Sequence, residues 1–359
     1  MGQKTTFFLK TGIIFAWLTL IFGTLWFSSL RYFPDEESQT IQAFIWPGIF
    51  HPDLVPEFEK ETGIKVKLHY YTSNEELFVK LKALGGKGYD LIVPSDYAVE
   101  ILKEDNLLKK IDKTKLNFLP SINPILMNHY FDPENIFSIP YQWEVYGLGI
   151  NVDLAKDVER NPSWDFIFNE KSIHGKIAML SDPVEAVTFA AFYLFGPKQH
   201  LSEEQSYRVR RLLKRQKKWV ESYAGPRADY LLTTKNCDIA LSQSSSIFRT
   251  AKQNSNIKFI LPKEWGIISI ENVCIPSESS KEELVYQFLN FLYRPENLKK
   301  NTDMFFSFPA RNDMASYIDI SEEFTTIYNH PESDKGKFHF FRHLIPEKEI
   351  RDIWIDVKS

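Results

Sequence analysis

The chain has 359 residues, of which 43% are hydrophobic and 15% aromatic, and its net charge is −4. This composition excludes an intrinsically disordered protein, and the length favours two domains or lobes over one. The first 33 residues hold three basic side chains and no acid, which leaves 40 basic against 47 acidic side chains in the remainder, a net charge of −7. That balance argues against nucleic-acid binding and suits a cationic ligand. Two cysteines, Cys237 and Cys274, are too few for a disulfide framework, and whether they pair stays open.

Residues 1–33 have the pattern of a targeting segment. Lys4 and Lys10 precede the run TGIIFAWLTLIFGTLWFSSL, which contains no charged residue. A basic start followed by an apolar run predicts a secretory signal peptide, and about 20 apolar residues also suffice for a membrane anchor. Because the lysines come first, the bulk of the chain is expected outside the cytoplasm. We predict a periplasmic protein and leave open whether the segment is cleaved or anchors it to the outer face of the inner membrane.

From about residue 40, short apolar runs alternate with helix-forming segments. The segment HPDLVPEFEKETG predicts a helix that stops at Gly63, and SNEELFVKLKALGG predicts a helix with Ser73 at its cap. Strands are predicted in TIQAFIWP, IKVKLHYY and GYDLIVPS. Alternation of this kind predicts an α/β fold with parallel strands and crossover helices.

The pattern is interrupted twice. IFSIPYQWEVYGLGINVD, residues 136–153, predicts two β-like runs that flank an aromatic turn, and NIKFILPKEWGIISIENVCIP, residues 256–276, predicts a second crossing between lobes. Between them, GKIAML and NCDIALS predict strands and PVEAVTFAAFYLF predicts a helix. After the second crossing, EELVYQFLNFLYRPENLKK predicts an amphipathic helix that ends near Pro295.

Two crossings imply that each lobe is built from separate stretches of the chain. We expect residues 40–144 and 268–305 to form the first α/β lobe, and residues 145–267 and 306–359 to form the second. The ligand cleft is expected between the lobes.

The basic run RVRRLLKRQKKW, residues 208–219, holds seven Lys or Arg in twelve residues. Val209, Leu212, Leu213 and Trp219 fall roughly on one helical face, so the basic residues are expected to form the solvated face of that helix. Docking on an anionic membrane or partner is the alternative.

Candidate ligand contacts follow predicted strands. Ligands of open parallel sheets bind beyond the carboxyl ends of the strands. Trp46, the stretch from Ser95 to Tyr97, and the stretch from Asp182 to Glu185 all come just after strands. Asp182 and Glu185 also fit the cap and third position of a helix, a structural role that does not exclude ligand contact. Further aromatic residues near strand ends are Trp143, Tyr146, Phe305, Phe306 and Phe308.

Nine stretches, in order and spacing, resemble bacterial spermidine/putrescine-binding proteins, the substrate-binding components of polyamine ABC importers. The resemblance covers nearly the whole chain after the N-terminal segment. The stretches are WPGIFHPDL at 46–54, FEKETGIKV at 58–66, YTSNEEL at 71–77, YDLIVPSDY at 89–97, IPYQWEVYGLGIN at 139–151, GKIAMLSDPVE at 175–185, LPKEWG at 261–266, FLNFLYRPE at 288–296 and FSFPARN at 306–312.

The resemblance implies a two-lobe periplasmic-binding-protein fold that closes on a polyamine, with ammonium groups on carboxylates and methylenes against aromatic rings. Asp182 and Glu185 match the family's D-x-x-E carboxylates, and Glu271 falls where the family has an Asp that holds an amine. Trp46 matches the first cleft Trp, and Tyr97 matches the Tyr after V-P-S. The other predicted ligand contacts are Ser95, Trp143, Gln243 and Phe306, the last at a family Tyr position.

Other positions depart from the family pattern. Ile49 stands where the family has a second aromatic residue, and Gln243 and Ser269 stand where it has Trp. Glu144 and Tyr146 replace residues that are commonly small. The carboxylates are therefore kept while part of the aromatic box is lost, which points to a shorter, more polar or modified amine or to an altered affinity.

The predicted function is that of an extracytoplasmic solute-binding protein. It would capture a putrescine- or spermidine-like cation and deliver it to the permease subunits of an ABC transporter, as a monomer without cofactor or metal. A binding protein for another small solute and a membrane-tethered polyamine sensor are the alternatives. An enzyme is not expected, because Asp182 and Glu185 at one helix start are poorly placed to flank a scissile bond and the chain offers no nucleophile with an orienting base.

Overall fold

The computed structural model describes residues 17–21, 39–173, 175–224, 227–329 and 337–359. The predicted targeting segment lies outside these residues except for positions 17–21, which are helical. Within the described parts of the chain, no helix is long and apolar enough to cross a membrane.

From residue 39 onward, the described residues form eleven strands and thirteen α-helices. The strands are β1 Thr40–Ile45, β2 Lys65–Tyr70, β3 Leu91–Ile92, β4 Ser138–Asn151, β5 Ile177–Met179, β6 Val220–Tyr223, β7 Ile239–Gln243, β8 Ile257–Ile260, β9 Gly266–Cys274, β10 Phe308–Pro309 and β11 Phe338–Phe340. The helices are α1 Leu54–Thr62, α2 Asn74–Leu84, α3 Asp96–Glu104, α4 Lys156–Arg160, α5 Asp165–Phe168, α6 Pro183–Phe195, α7 Glu203–Gln216, α8 Ala228–Thr233, α9 Ser244–Ala251, α10 Glu282–Leu292, α11 Pro295–Phe305, α12 Glu322–Asn329 and α13 Glu347–Lys358.

The strands form one mixed sheet in the order β2-β1-β3-β9-β4-β7-β5-β6. At one side β1 pairs in parallel with β2 and β3, and at the other β5 pairs in parallel with β6 and β7. The two predicted crossings, β4 and β9, pair antiparallel in the middle. The α/β fold with two parallel groups joined by crossing strands is therefore confirmed. The residue boundaries given above for the two lobes stay a prediction.

The aromatic turn predicted within residues 136–153 is wrong. β4 runs unbroken over 14 residues, with one irregularity in its pairing to β9 between Pro140 and Gln142. Because successive side chains of a strand point to opposite faces, Tyr141 and Trp143 lie on the face opposite Gln142 and Glu144. Nearly every residue of β4 is buried, so aromatic side chains here indicate a central strand rather than a turn.

Local signals place the helices that support the cleft. α1 ends at Gly63, whose φ of 77° suits a residue without a side chain. α2 is capped by Ser73, whose hydroxyl accepts a hydrogen bond from the Glu76 N–H at 3.2 Å. The single helix predicted to end near Pro295 is in fact two helices. α10 ends at Leu292, and α11 begins at Pro295. Proline is favoured at this first position, because the N–H that it lacks would have no hydrogen-bond partner within the helix.

The buried side chains form two clusters. One includes Phe44, Trp143 and Phe288, and the other includes Trp164 and Trp265. Cys237 and Cys274 are both buried and unpaired.

The basic run forms α7 and the turn after it. Val209, Leu212 and Leu213 are buried, Trp219 is half-buried, and the run's Lys and Arg side chains are exposed or half-buried. The predicted solvated basic face of this helix is confirmed.

Candidate functional site

A cavity of about 390 Å³ opens where the parallel strand groups meet the crossing strands. Among the residues that the structure describes, five carboxyl side chains line it, against one basic side chain, Arg249. Seven serines also line it, so the polar part of its wall is mainly acidic and hydroxylic. The lining carboxyl residues are Glu75, Glu144, Asp182, Glu185 and Glu271.

The start of α6 supplies two of these carboxylates. Asp182 caps the helix, because its Oδ1 accepts a hydrogen bond from the Glu185 N–H at 3.0 Å. Its Oδ2 accepts a second hydrogen bond from the Tyr97 hydroxyl at 3.2 Å. The Tyr97 hydroxyl in turn accepts one from the Asn74 amide at 2.8 Å. Asp182 is thus both the predicted helix cap and a cavity-lining group.

Glu185 is held by a chain of hydrogen bonds from the crossing strands. The Gln243 amide donates to the Tyr146 oxygen at 2.8 Å, and the Tyr146 hydroxyl donates to Glu185 Oε1 at 2.5 Å. The chain fixes one carboxylate oxygen of Glu185 on the cavity wall.

Glu271, on β9, faces the cavity from the opposite side. Its Oε1 accepts a hydrogen bond from the Ser95 hydroxyl at 3.0 Å. Its Oε2 and the indole Nε1 of Trp46 are both buried without a hydrogen-bond partner of good geometry among the described residues. The Trp46 indole nevertheless favours the ionised form of Glu271. It therefore lowers the pKa of Glu271 and offsets a small part of the increase caused by burial. A buried polar group without a partner is costly, so Glu271 Oε2 is a ready acceptor for a ligand donor.

Burial dominates the electrostatics of the cavity. It raises the pKa of Asp182 to about 6, of Glu144 to about 7 and of Glu271 to about 8. The pKa of Glu185 rises well above its usual range, first through burial and next through the charge of Asp182. Burial therefore disfavours the ionised forms of these carboxylates. A cation inside the cavity would remove that penalty, which makes the site suited to a ligand with several positive charges.

The structure brings six of the nine predicted contacts to the cavity wall. Tyr97 lies behind the wall, buried, and reaches the site through its hydrogen bond to Asp182. Whether these residues bind a ligand stays a prediction. The six that line the cavity are Trp46, Ser95, Asp182, Glu185, Gln243 and Glu271.

Trp143 and Phe306 were predicted as ligand contacts, but neither lines the cavity. Trp143 points to the other face of β4, where its ring stacks on Phe308 at 4.5 Å and its Nε1 donates to the Pro309 carbonyl at 3.3 Å. Phe306 is the buried residue that ends α11 in a left-handed conformation, with φ 63°. Its neighbours Phe305 and Ser307 line the cavity in its place.

Glu144 was not predicted as a ligand contact, yet it lines the cavity and accepts a hydrogen bond from the Ser245 hydroxyl at 2.7 Å. The alternation of side chains along β4 could have found it, because Gln142, Glu144 and Tyr146 share one face. Ile49, Gln243 and Ser269 also line the cavity, so the wall lacks rings at three positions where the family resemblance implies them.

Comparison with known proteins places the chain in a family. Residues 53–328 match the family described as bacterial extracellular solute-binding protein. The spermidine/putrescine-binding periplasmic protein of Escherichia coli K12 is 30% identical over 270 residues, which span 74% of this chain and 76% of that protein. The putrescine-binding periplasmic protein SpuD of Pseudomonas aeruginosa UCBPP-PA14 is 30% identical over 347 residues, 90% of this chain and 93% of that protein.

Solved structures share the fold. The substrate-binding protein PotD of a spermidine/putrescine ABC transporter from Streptococcus pneumoniae superposes with a TM-score of 0.75 at 23% identity, covering 89% of this chain and 98% of that one. The TpPotD lipoprotein of Treponema pallidum gives a TM-score of 0.78 at 21% identity, covering 89% and 99%. The chain belongs to the bacterial extracellular solute-binding protein family.

Proposed function

We propose that this protein captures a linear polyamine of the putrescine and spermidine class outside the cytoplasm and delivers it to the permease subunits of an ABC importer. The names of its relatives support this ligand class. The observation that carries the proposal is the ratio of five carboxyl groups to one guanidinium around a single cavity.

The physical argument concerns how a cavity can bind a flexible polycation. An ammonium group loses its hydration on entering and needs a charged acceptor in exchange. Asp182, Glu185 and Glu271 supply such acceptors at two sides of the cavity, and Trp46 offers an aromatic face to cations and methylenes. Because the carboxylates are fixed by hydrogen bonds before the ligand arrives, little ordering is needed on binding.

We further propose that the protein acts as a monomer, as a carrier rather than an enzyme, and without a cofactor. The predicted N-terminal segment would either be removed on export or hold the protein at the outer face of the inner membrane. Detection of residues 1–33 on the mature protein in membrane fractions would support anchoring, and a mature N-terminus beyond that segment would contradict it.

A binding protein for a different hydrophilic cation is the second candidate. It is favoured by Ile49, Gln243 and Ser269, three cavity-lining positions that lack the aromatic rings implied by the family resemblance.

Isothermal titration calorimetry of the full-length protein, freed of bound ligand by unfolding and refolding, tests the proposal. We expect saturable binding of putrescine or spermidine and no binding of 1,4-butanediol, which has the putrescine chain with hydroxyl groups in place of the amines. A folded protein that binds neither amine would contradict the polyamine assignment and leave the second candidate.

A further inference from the structure

Glu144 is a cavity carboxylate at a position where the family resemblance leads one to expect a small residue. Its surroundings on the sheet are set by strand pairing. Glu144 pairs with Ser269 on β9, two residues from the pair of Gln142 with Glu271. Tyr146 pairs with Gln243 on β7. The three β4 residues share one face, so Glu144 lies in the middle of a polar row that faces the cavity.

The row links the two acidic sides of the cavity. Its one end lies beside Glu271, and its other end, Tyr146, is hydrogen bonded to Glu185. Same-face neighbours on a strand are about 7 Å apart, so Glu144 occupies a middle position between the two outer carboxylates. Glu144 and Glu271 both line the cavity, and the charge of Glu144 contributes to the raised pKa of Glu271, after burial and Asp96.

Glu144 interacts with the charge of one basic side chain on the described cavity wall, Arg249, which favours its ionised form. Its one hydrogen-bonding neighbour is Ser245, and it forms no ion pair among the residues that the structure describes. The guanidinium of Arg249, which also lines the cavity, lies 3.7 Å from Asp229 instead. A half-buried carboxylate without an ion-pair partner is stabilised further by a cation supplied from the cavity.

The lost rings and the new carboxylate occupy neighbouring positions. Ser269, directly opposite Glu144, and Gln243, opposite Tyr146, are the two positions where the family resemblance leads one to expect Trp. This part of the cavity wall is therefore lined by an acid, two serines, an amide and the Tyr146 phenol, which suits a charged group.

We propose that Glu144 binds the internal secondary ammonium of a triamine and so selects ligands charged in mid-chain over diamines of the same length. This inference rests on the proposed polyamine function. The competing explanation is purely structural: Glu144 accepts from Ser245 in the first turn of α9 and only stabilises the start of that helix.

A matched ligand pair separates the two explanations. Spermidine and 1,8-diaminooctane have the same chain length, and the latter replaces the internal NH by CH₂. We expect the unmodified protein to bind spermidine at least about tenfold more tightly, since close buried charge pairs contribute this much or more. The Glu144→Gln variant, which keeps an acceptor for Ser245, should bind both ligands within about threefold of each other.

Glu75→Gln is the control, because Glu75 also lines the cavity but lies outside the β4 row. This variant should keep the preference for spermidine. Three outcomes would each overturn the inference. The unmodified protein could bind spermidine and 1,8-diaminooctane equally, Glu144→Gln could keep the preference for spermidine, or Glu75→Gln could lose it. Glu144→Ser, measured with the same ligands, replaces Glu144→Gln if the latter does not fold. Absence of binding by either amine would instead contradict the polyamine function itself.

Discussion

The cavity has two unlike walls. The acidic wall, Asp182 and Glu185 at the start of α6, keeps the carboxylate pair that the family resemblance implies. The strand wall, Glu144, Tyr146, Gln243 and Ser269, holds polar groups where small residues and rings were expected. Methylenes gain about 0.8 kcal/mol each on burial against an apolar surface, a contribution that the strand wall supplies poorly. Binding should therefore depend on charge more strongly than in a ring-lined cavity.

Neutralising the acidic wall should have the largest effect. Glu185→Gln removes a carboxylate that would form a buried ion pair with a bound ammonium, and loss of such a partner costs about 2–5 kcal/mol. We expect the affinity for spermidine to fall about 100-fold, measured by calorimetry at pH 8.

The ligand-free Glu185→Gln variant serves as its own folding control. Its thermal midpoint should equal or exceed that of the unmodified protein, because the substitution removes a buried acid from beside Asp182. Unchanged spermidine affinity in a folded variant would show that the acidic wall does not bind the ligand.

The pH dependence of binding tests both walls together. The raised pKa values of Asp182, Glu144 and Glu271, about 6, 7 and 8, mean that a cation must displace protons from the cavity at lower pH. We expect affinity to rise between pH 6 and pH 8, by about tenfold per unit for each proton released. Calorimetry in buffers of different ionisation heats should detect the proton release, and an affinity that is flat over this range would contradict the account.

The stability of the ligand-free protein should change in the opposite direction. Folding raises the pKa of these acids, so they contribute most to the free energy of unfolding below pH 4, near their pKa in the unfolded chain. That contribution is lost as the pH rises through their pKa values in the folded protein, about 6 to 8. We expect the urea midpoint of the ligand-free protein to decrease over this interval. Saturating spermidine should reduce the decrease.

Loss of one hydrogen bond between the walls should have a moderate effect. Tyr146→Phe removes the donor to Glu185 Oε1 and the acceptor for Gln243. Because hydrogen bonds to charged groups contribute about 1.5–3 kcal/mol, we expect spermidine affinity to fall roughly tenfold or more. The matched change Tyr97→Phe should cost less, since Asp182 keeps its hydrogen bond from the Glu185 N–H. An equal or larger loss for Tyr97→Phe would contradict this ranking.

The smallest effect is expected far from both walls. Arg215 lies on the exposed basic face of α7, and its replacement by Gln should leave spermidine affinity within about twofold and stability within about 0.5 kcal/mol. A marked loss of binding in Arg215→Gln would show that the basic face, rather than the cavity alone, takes part in ligand capture.

The sequence predicted the acidic wall better than the strand wall. Asp182 is fixed by local signals, a strand end and a helix cap, so its place at the cavity could be inferred from a few neighbouring residues. Glu144 depends on the register of β4 against β9, which is set by pairing between distant stretches. Trp143 shows the same limit, because a single residue of register decides whether a ring faces the cavity or the core.

Neighbouring residues alone also did not predict where α10 ends and α11 begins, or which way the Phe306 side chain points. The amphipathic pattern predicts one helix that ends near Pro295, but proline is also favoured at the first position of a helix, where Pro295 lies. Phe306 follows that second helix in a left-handed conformation, which turns its side chain into the core and brings Phe305 and Ser307 to the cavity.

The most direct test of the central claim is the identity of the ligand that the protein carries when it is purified from its own cells. Native mass spectrometry of the full-length protein, followed by release and identification of the bound molecule, provides it. The account predicts a linear polyamine, absent from Glu185→Gln prepared in parallel. A neutral or anionic solute, bound equally by the unmodified protein and Glu185→Gln, would contradict it.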